Sequence, residues 1–344
     1  MSRKCNKICL ALPWFGKLPP YWGGYIESCA DNSDIDFLIV TDQAVGAVPD
    51  NVRVISMSWN QIYQKFKTLF LNLGYNRFYL GHPYKLCDYK PTYGLLFQEY
   101  LKGYEYWGYI DCDLIWGNIS KFLHRIQYWK YDRIYRCGHL SIYRNTPEIN
   151  NIFYSDTEGC IPFKDIVETS YSMNFDECGI NEYFVRNNRN FYSKGDEVTF
   201  YAYTDQFKWK NFRNPELGEL FVKECDGSTW VYYMTSVDKF DKQEVCYVHF
   251  MTKKNIAIPP GIERPYCITR DGIFHFSESD IMNLFRRTIS DKASEMAFKR
   301  QQVRAFRRES IKKMLREFNY NRFKTFKVLL NRIPSYFKYL GYKK

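Results

Sequence analysis

Four short, mainly apolar runs, the second and third interrupted by Asp36 and by Arg53 and Ser56, dominate the first 118 residues and restrict the fold more than any other feature: Ile8 to Pro13, Ile35 to Thr41, Val52 to Met57 and Tyr106 to Ile110. Runs of this length without polar alternation read as strands buried on both faces, as in a parallel sheet covered by helices. The stretches between them supply the helices. Pro20 to Cys29, Asn60 to Leu71 and Thr92 to Leu101 have helical periodicity, and the second carries Ile62, Phe66, Leu69 and Phe70 on one face. Strands alternating with helices predict an α/β domain built on a central sheet.

Beyond residue 118 the pattern becomes mixed. A short helix is expected at Ile119 to Tyr128, strands near Asp132 to Arg136 and Leu140 to Tyr143, and helices at Pro147 to Ser155 and Gly179 to Arg186. Short strands at Val198 to Tyr201, Trp230 to Met234, Glu244 to Phe250 and Ile273 to Phe276 would complete a mixed sheet and a flanking ribbon. From Ser279 the text changes to a Lys- and Arg-rich stretch with apolar residues at helical intervals, followed by a basic, aromatic segment from Asn321 to Tyr342 that Pro334 interrupts. The expected partition is therefore a catalytic-type α/β domain over residues 1–278 and a basic amphipathic helical extension over 279–344.

Charge follows the same division. Arg286 to Lys344 holds 18 Lys and Arg against 4 Asp and Glu, so the total of +11 leaves the rest of the chain at about −3. An acidic partner is implied for the extension alone, either anionic lipid or nucleic acid. The slightly acidic body has no zinc-finger spacing, aromatic RNP-type strand or Gly-rich phosphate loop, so a nucleic-acid partner is the weaker expectation. An anionic membrane surface, bound peripherally through the basic helices, is the stronger one. Eleven cysteines without a CxxC pair suggest reduced thiols. With no leader-like segment after Lys7 and no run near the ~20 apolar residues a span requires, the expected location is the cytoplasm, at the inner face of the membrane.

The chemistry concentrates where the fourth apolar run ends, in Tyr106-Trp107-Gly108-Tyr109-Ile110-Asp111-Cys112-Asp113. Two carboxylates beyond the carboxyl end of a buried strand face the region where α/β sheets bind ligands. Such a pair suits Mg²⁺ or Mn²⁺ bridging protein oxygen atoms to a substrate phosphate.

Three linked segments resemble a known group: residues 13–42 (PWFGKLPPYWGGYIESCADNSDIDFLIVTD), 83–94 (PYKLCDYKPTYG) and 106–119 (YWGYIDCDLIWGNI) look like bacterial GT-A glycosyltransferases of capsule and O-antigen synthesis. The likeness is clearest over residues 5–145 and weaker to about residue 280. It implies a GT-A, Rossmann-like domain with a mixed central sheet, a divalent cation, a nucleotide-sugar donor, commonly a UDP-sugar, and a saccharide or lipid-linked saccharide acceptor. Carried over by residue, Asp113 would bind the metal and Asp111 would lie near the ribose or a metal-bound water. Pro13, Trp14 and Phe15, with Thr41 and Asp42, take the places that hold base and ribose. Lys85, Asp88 and Lys90 would reach donor phosphates and sugar hydroxyls. His249 would be a third metal ligand, with Lys253 available for phosphate. Asp176 and Glu177 are candidates for the general base that an inverting mechanism requires. The acidic pair alone leaves open a metal-dependent phosphodiesterase or nucleotidyltransferase.

Overall fold

The computed structural model describes residues 7–193, 200–201, 219–236, 239–249, 256–269 and 272–284. All belong to the first of two compact units, Met1–Thr288; the second, Ile289–Lys344, lies outside the described residues, and with it the expected basic helices.

The four apolar runs are the strands β1 (Ile8–Trp14), β2 (Asp36–Thr41), β3 (Val52–Ser56) and β4 (Tyr106–Ile110). Helix α1 (Trp22–Ala30) joins the first two strands, and α2 (Trp59–Asn72) follows the third. Ser58 starts α2 with a reciprocal capping box: its hydroxyl accepts from Gln61 N while the Gln61 side chain accepts from Ser58 N. Ile62, Phe66 and Phe70 form the buried stripe of α2. Thr92 to Leu101 is not one helix. It breaks into Tyr93–Leu96 and Gln98–Leu101 because Phe97, wholly buried, leaves helical geometry at φ −113°.

Further strands are β5 (Leu114–Trp116), β6 (Arg133–Cys137), β7 (Leu140–Arg144), β8 (Phe191–Tyr192) and β9 (Phe200–Tyr201). They are followed by β10 (Glu219–Lys223), β11 (Thr229–Ser236), β12 (Lys239–Val245), β13 (Tyr247–His249), β14 (Tyr266–Thr269) and β15 (Gly272–His275). The central sheet runs β3-β2-β1-β4-β7-β6-β8, parallel through β4 and antiparallel from β4 to β7 and from β7 to β6. The domain is thus mixed α/β, with a central sheet of both strand senses. From β1 the chain steps outward to β2 and β3, then returns to place β4 on the other side. The carboxyl ends of β1 and β4 therefore flank the switch point, where open α/β sheets bind ligands.

The expected strand from Glu244 to Phe250 divides at Cys246, and Phe250 itself lies outside the described residues. Residues before the break pair with β11 in a five-stranded antiparallel sheet, β12-β11-β10-β14-β15. Those after it pair with β5 in a three-stranded sheet, β5-β13-β9. Gly117 N donates to Cys246 O (2.7 Å) at this corner, and a Cβ on Gly117 would strike the Val245 carbonyl. The five-stranded sheet turns Phe221, Val231, Val245 and Ile268 into the core shared with Phe37 and Trp116.

Candidate active site

Asp111 follows β4 directly, and its N–H donates to His139 O (3.4 Å) in the β6–β7 hairpin. Asp113 sits in the turn into β5. The antiparallel pairing of His249 with Leu114 then delivers the imidazole beside it, with Nε2 3.3 Å from Asp113 Oδ1. One ligand atom each from Asp111, Asp113 and His249 all lie within 4.8 Å of one another. Two donors on one cation at ~2.1 Å and at right angles would be about 3 Å apart, so the Asp113–His249 separation fits. Two carboxylates and an imidazole are a donor set for Mn²⁺ or Mg²⁺, the imidazole favouring Mn²⁺. The cluster can therefore hold a divalent metal.

His139 supports this centre from behind. Its ring packs at 4.3 Å on the His249 ring, and Nδ1 shares a 2.8 Å hydrogen bond with the Tyr247 hydroxyl. Burial, then the neighbouring His249 and Lys90, push its pKa well below the ordinary histidine value, so the ring is neutral. The hairpin reaches the centre through a bulge in β6 between Ile134 and Cys137, where Tyr135 adopts φ +63°.

Lys90 joins the acidic turn to a second acidic loop. Its Nζ donates to Asp111 Oδ1 (2.6 Å) and Gly138 O (2.7 Å) and lies 3.5 Å from Asp176 Oδ2. Burial opposes its charge, but Asp111, Cys87 and Asp176 together hold the pKa well above the ordinary lysine value. The ammonium is a permanent strut, with its donors directed at protein oxygens. Asp176 is buried, and that burial pushes its carboxyl well above the usual range, with Lys90 opposing. Glu177 Oε1 accepts from Gly138 N (3.0 Å). Gly138 has no room for a side chain here, because a Cβ would come within 2.7 Å of Asp176 Oδ2 and 2.9 Å of Glu177 Oε1.

The expected phosphate and hydroxyl contacts from Lys85 and Asp88 are not what the fold makes of them. Both side chains are fully enclosed. Lys85 Nζ donates to Asp88 Oδ2 (2.8 Å), Ile166 O (3.0 Å) and Tyr171 O (2.7 Å), while Asp88 accepts from Met173 N (2.9 Å) and Phe175 N (3.1 Å). The pair anchors residues 166–175 and so fixes the single π-type turn, Phe175–Gly179, that carries Asp176 and Glu177.

The remaining candidates lie on the rim. Trp14 ends β1, and Phe15 is buried with its ring 5.3 Å from Trp59. Thr41 is buried at the end of β2. The exposed Asp42 accepts from Gly16 N (3.1 Å), tying the loop after β1 to β2 at a glycine with φ +102°. Desolvation, the largest single influence, raises the Asp42 carboxyl, but hydrogen bonds from Gln43, Gly16 and its own backbone together hold it below its usual range. Pro13, Trp14, Phe15, Thr41 and Asp42 thus share the strand-end edge of the sheet with Asp111. Lys253 lies outside the described residues. Sequence reasoning gave no role to Tyr109, whose hydroxyl donates to Asp176 O (2.6 Å), or to Tyr247; among 30 tyrosines nothing marks them.

A sheet crossed at its switch point by an acidic turn, with a histidine brought in from a second sheet, defines an α/β protein with a cluster that could hold a metal ion. The chain belongs to DUF6625, a family of unknown function, whose pattern matches residues 10–277. No curated protein matches it in sequence. Among solved structures it is similar to a protein described as a nucleotide-diphospho-sugar transferase from Desulfovibrio desulfuricans G20, at 10% identity and TM-score 0.28, covering 55% of this chain and 80% of that one. It is also similar to the glycosyltransferase GlyE of Streptococcus pneumoniae TIGR4, at 10% identity and TM-score 0.31, covering 59% and 47%. A third is mouse xyloside xylosyltransferase 1, at 8% identity and TM-score 0.32, covering 58% and 88%. Values this low carry no function across to this chain.

Proposed function

We propose that the chain is a metal-dependent glycosyltransferase of GT-A type that moves a sugar from a nucleotide-sugar donor, a UDP-sugar first among them, to a saccharide or lipid-linked saccharide acceptor in surface-polysaccharide synthesis. The observation that carries this reading is the convergence of Asp111, Asp113 and His249 at the switch point of the sheet. These three residues would hold Mn²⁺ or Mg²⁺, which supplies charge neutralisation for a departing diphosphate. The rim from Pro13 to Phe15, with Thr41 and Asp42, would receive base and ribose.

The reaction breaks the bond from the anomeric carbon to the donor phosphate oxygen and forms one to an acceptor hydroxyl oxygen, with the nucleoside diphosphate leaving. The acceptor proton passes to a base. Asp176 is the group assigned that role if configuration inverts, because burial raises its carboxyl above the usual range and so makes its anion a stronger base. Glu177, engaged by Gly138 N, shapes the loop instead. Lys90 keeps Asp111 oriented rather than touching phosphate, and Lys85 and Asp88 hold the base-bearing loop in place. The basic extension is assigned to an anionic membrane surface, where each Lys or Arg near the headgroups contributes about 1 kcal/mol.

Product analysis tests the reaction class. Release of free nucleoside diphosphate from a nucleotide-sugar, dependent on Mn²⁺ and on acceptor, is the expected result. Release of pyrophosphate or a nucleoside monophosphate would sink it in favour of phosphodiester chemistry. For the extension, truncation after Asn319 should weaken sedimentation with phosphatidylserine vesicles, and undiminished binding would remove the membrane role from that segment.

A further inference from the structure

On the outer face of the five-stranded sheet the half-buried indole of Trp230 meets solvent beside the buried rings of Tyr232 and Phe276. Cross-strand partners share a face, so the pairs Trp230 with Glu244 and Tyr232 with Lys242 place these side chains opposite the core-facing Val231 and Val245. Phe276, arriving after β15, packs its ring 5.0 Å from that of Tyr232, and Phe240 lies 6.0 Å away while remaining 38% exposed. A pocket of about 550 Å³ opens here, within the size range of ligand sites. It lies apart from the metal-ligating cleft. Gly227, in the turn that forms one wall, abuts Asp31 at the far end of α1, whereas Asp111 and Asp113 neighbour Tyr21, just before α1 begins, about 13 Å away along nine residues.

The polar groups limit what can enter. Among the described residues, Glu224, Asp226 and Glu278 face a single ammonium, that of Lys242, and this lining disfavours phosphates, nucleotides and acidic lipid. A quaternary ammonium is disfavoured too, because the like charge of Lys242 lies over one face of each ring, 5.5 Å from Trp230 and 5.2 Å from Tyr232. Lys242 Nζ is also held by the Tyr232 hydroxyl (3.2 Å) and Glu278 (3.3 Å). The half-buried Trp230 indole is fixed in turn, with Nε1 donating to Ser228 Oγ (2.9 Å) and that hydroxyl donating to Asp226 Oδ1 (2.6 Å). A fixed, half-buried indole rimmed by carboxylate acceptors complements a ligand with an apolar C–H face and a ring of hydroxyl donors, and no net charge.

We propose that this outer face binds a neutral saccharide chain, stacked on Trp230 with its hydroxyls donating to Glu224 and Glu278. Choosing a saccharide rests on the glycosyl-transfer reading; the pocket's selection against anions does not. Lys242 precedes His249 by seven residues along β12 and β13, so the pocket lies within about 25 Å of the metal-ligating end at ~3.3 Å per residue. A polymer whose end occupies the cleft can therefore be held here by a distant portion.

The test titrates the full chain with neutral hexose oligomers (maltohexaose, cellohexaose and laminarihexaose) and with an oligogalacturonate of equal length, read by tryptophan fluorescence and calorimetry. Saturable binding of at least one neutral oligomer, with the anionic one weaker, is expected. Trp230→Ala should weaken it about tenfold or more while metal-dependent UDP binding is unchanged. Glu278→Gln, on an exposed side chain, should weaken it severalfold without touching the fold. Binding should survive Asp113→Asn. Absence of saturable binding by all three neutral oligomers, equal or tighter binding of the anionic one, or indifference to both pocket variants would overturn the proposal. Because UDP binding is measured on the same proteins, failure of the cleft reading and failure of this one give different results.

Discussion

At the scale of single residues, the acidic pair was legible because side-chain chemistry and position coincide: two carboxylates directly after a continuously buried strand have few structural uses. His249 was legible mainly by scarcity, as one of five histidines. What brings it to Asp113 is strand pairing across more than a hundred residues, which no local pattern encodes. The inward placement of Lys85 and Asp88 was hidden for a related reason. A charged pair at a helix start looks solvated until residues 166–175 close over it. Lys90 allows the difference between a strut and a phosphate ligand to be measured. Lys90→Met leaves Asp111 and Asp176 facing each other without their cation, a loss of about 3 kcal/mol, the low end for a buried pair because Asp111 is one-third exposed. Urea unfolding should show it without any ligand. A change below about 1 kcal/mol would return Lys90 to the substrate side.

At the scale of elements, β1, β2 and β4 could be read because strands buried on both faces leave a nearly unbroken apolar signature, and the edge strand β3 because Val52, Val54 and Ile55 still mark it. The edge strand β12, Lys-Phe-Asp-Lys-Gln-Glu-Val, is exposed over most of its length and carries no such signature, and β10 and β14 each offer only three consecutive apolar residues. The split at Cys246 is set by which partner strand is available on each side, a tertiary choice. Close packing around β4 gives this scale its own test. A Cβ on Gly108 would meet Leu10 Cδ2 and Ser141 O, both at 2.7 Å, from the two neighbouring strands. Gly108→Ala should therefore cost about 1–3 kcal/mol by thermal or urea unfolding. A neutral effect would mean that β4 tolerates displacement and does not hold Asp111 rigidly.

At the scale of the whole molecule, division into a near-neutral body and a basic tail followed from charge counting alone, whereas the outer face of the five-stranded sheet became visible only once strand register was known. Buried ionisable groups set the response to pH. Burial raises the thiols of Cys9, Cys29 and Cys246 far above their ordinary value and pushes Cys87 up to about 12. It also raises the phenols of Tyr25, Tyr93 and Tyr143. In the unfolded chain these groups lose protons from about pH 8.5 for thiols and about pH 10 for phenols, while the folded chain keeps them. The unfolded state then binds fewer protons, so stability falls as pH rises through that window. Lys223, lowered by burial to about 8 despite Asp31, works in the opposite sense but is a single group against many. The urea midpoint should fall steadily above about pH 8.5, and a constant or rising midpoint would contradict the burial described.

The glycosyl-transfer reading stands or falls on the cluster of Asp111, Asp113 and His249. Calorimetric titration of UDP into the full chain, with Mn²⁺ and then with chelator, and repeated on Asp113→Asn, tests it most directly. Metal-dependent UDP binding that the substitution weakens about 100-fold, in a protein with an unchanged unfolding midpoint, is the expected result. UDP binding that is indifferent to metal and to Asp113, or no UDP binding in any condition, would contradict it.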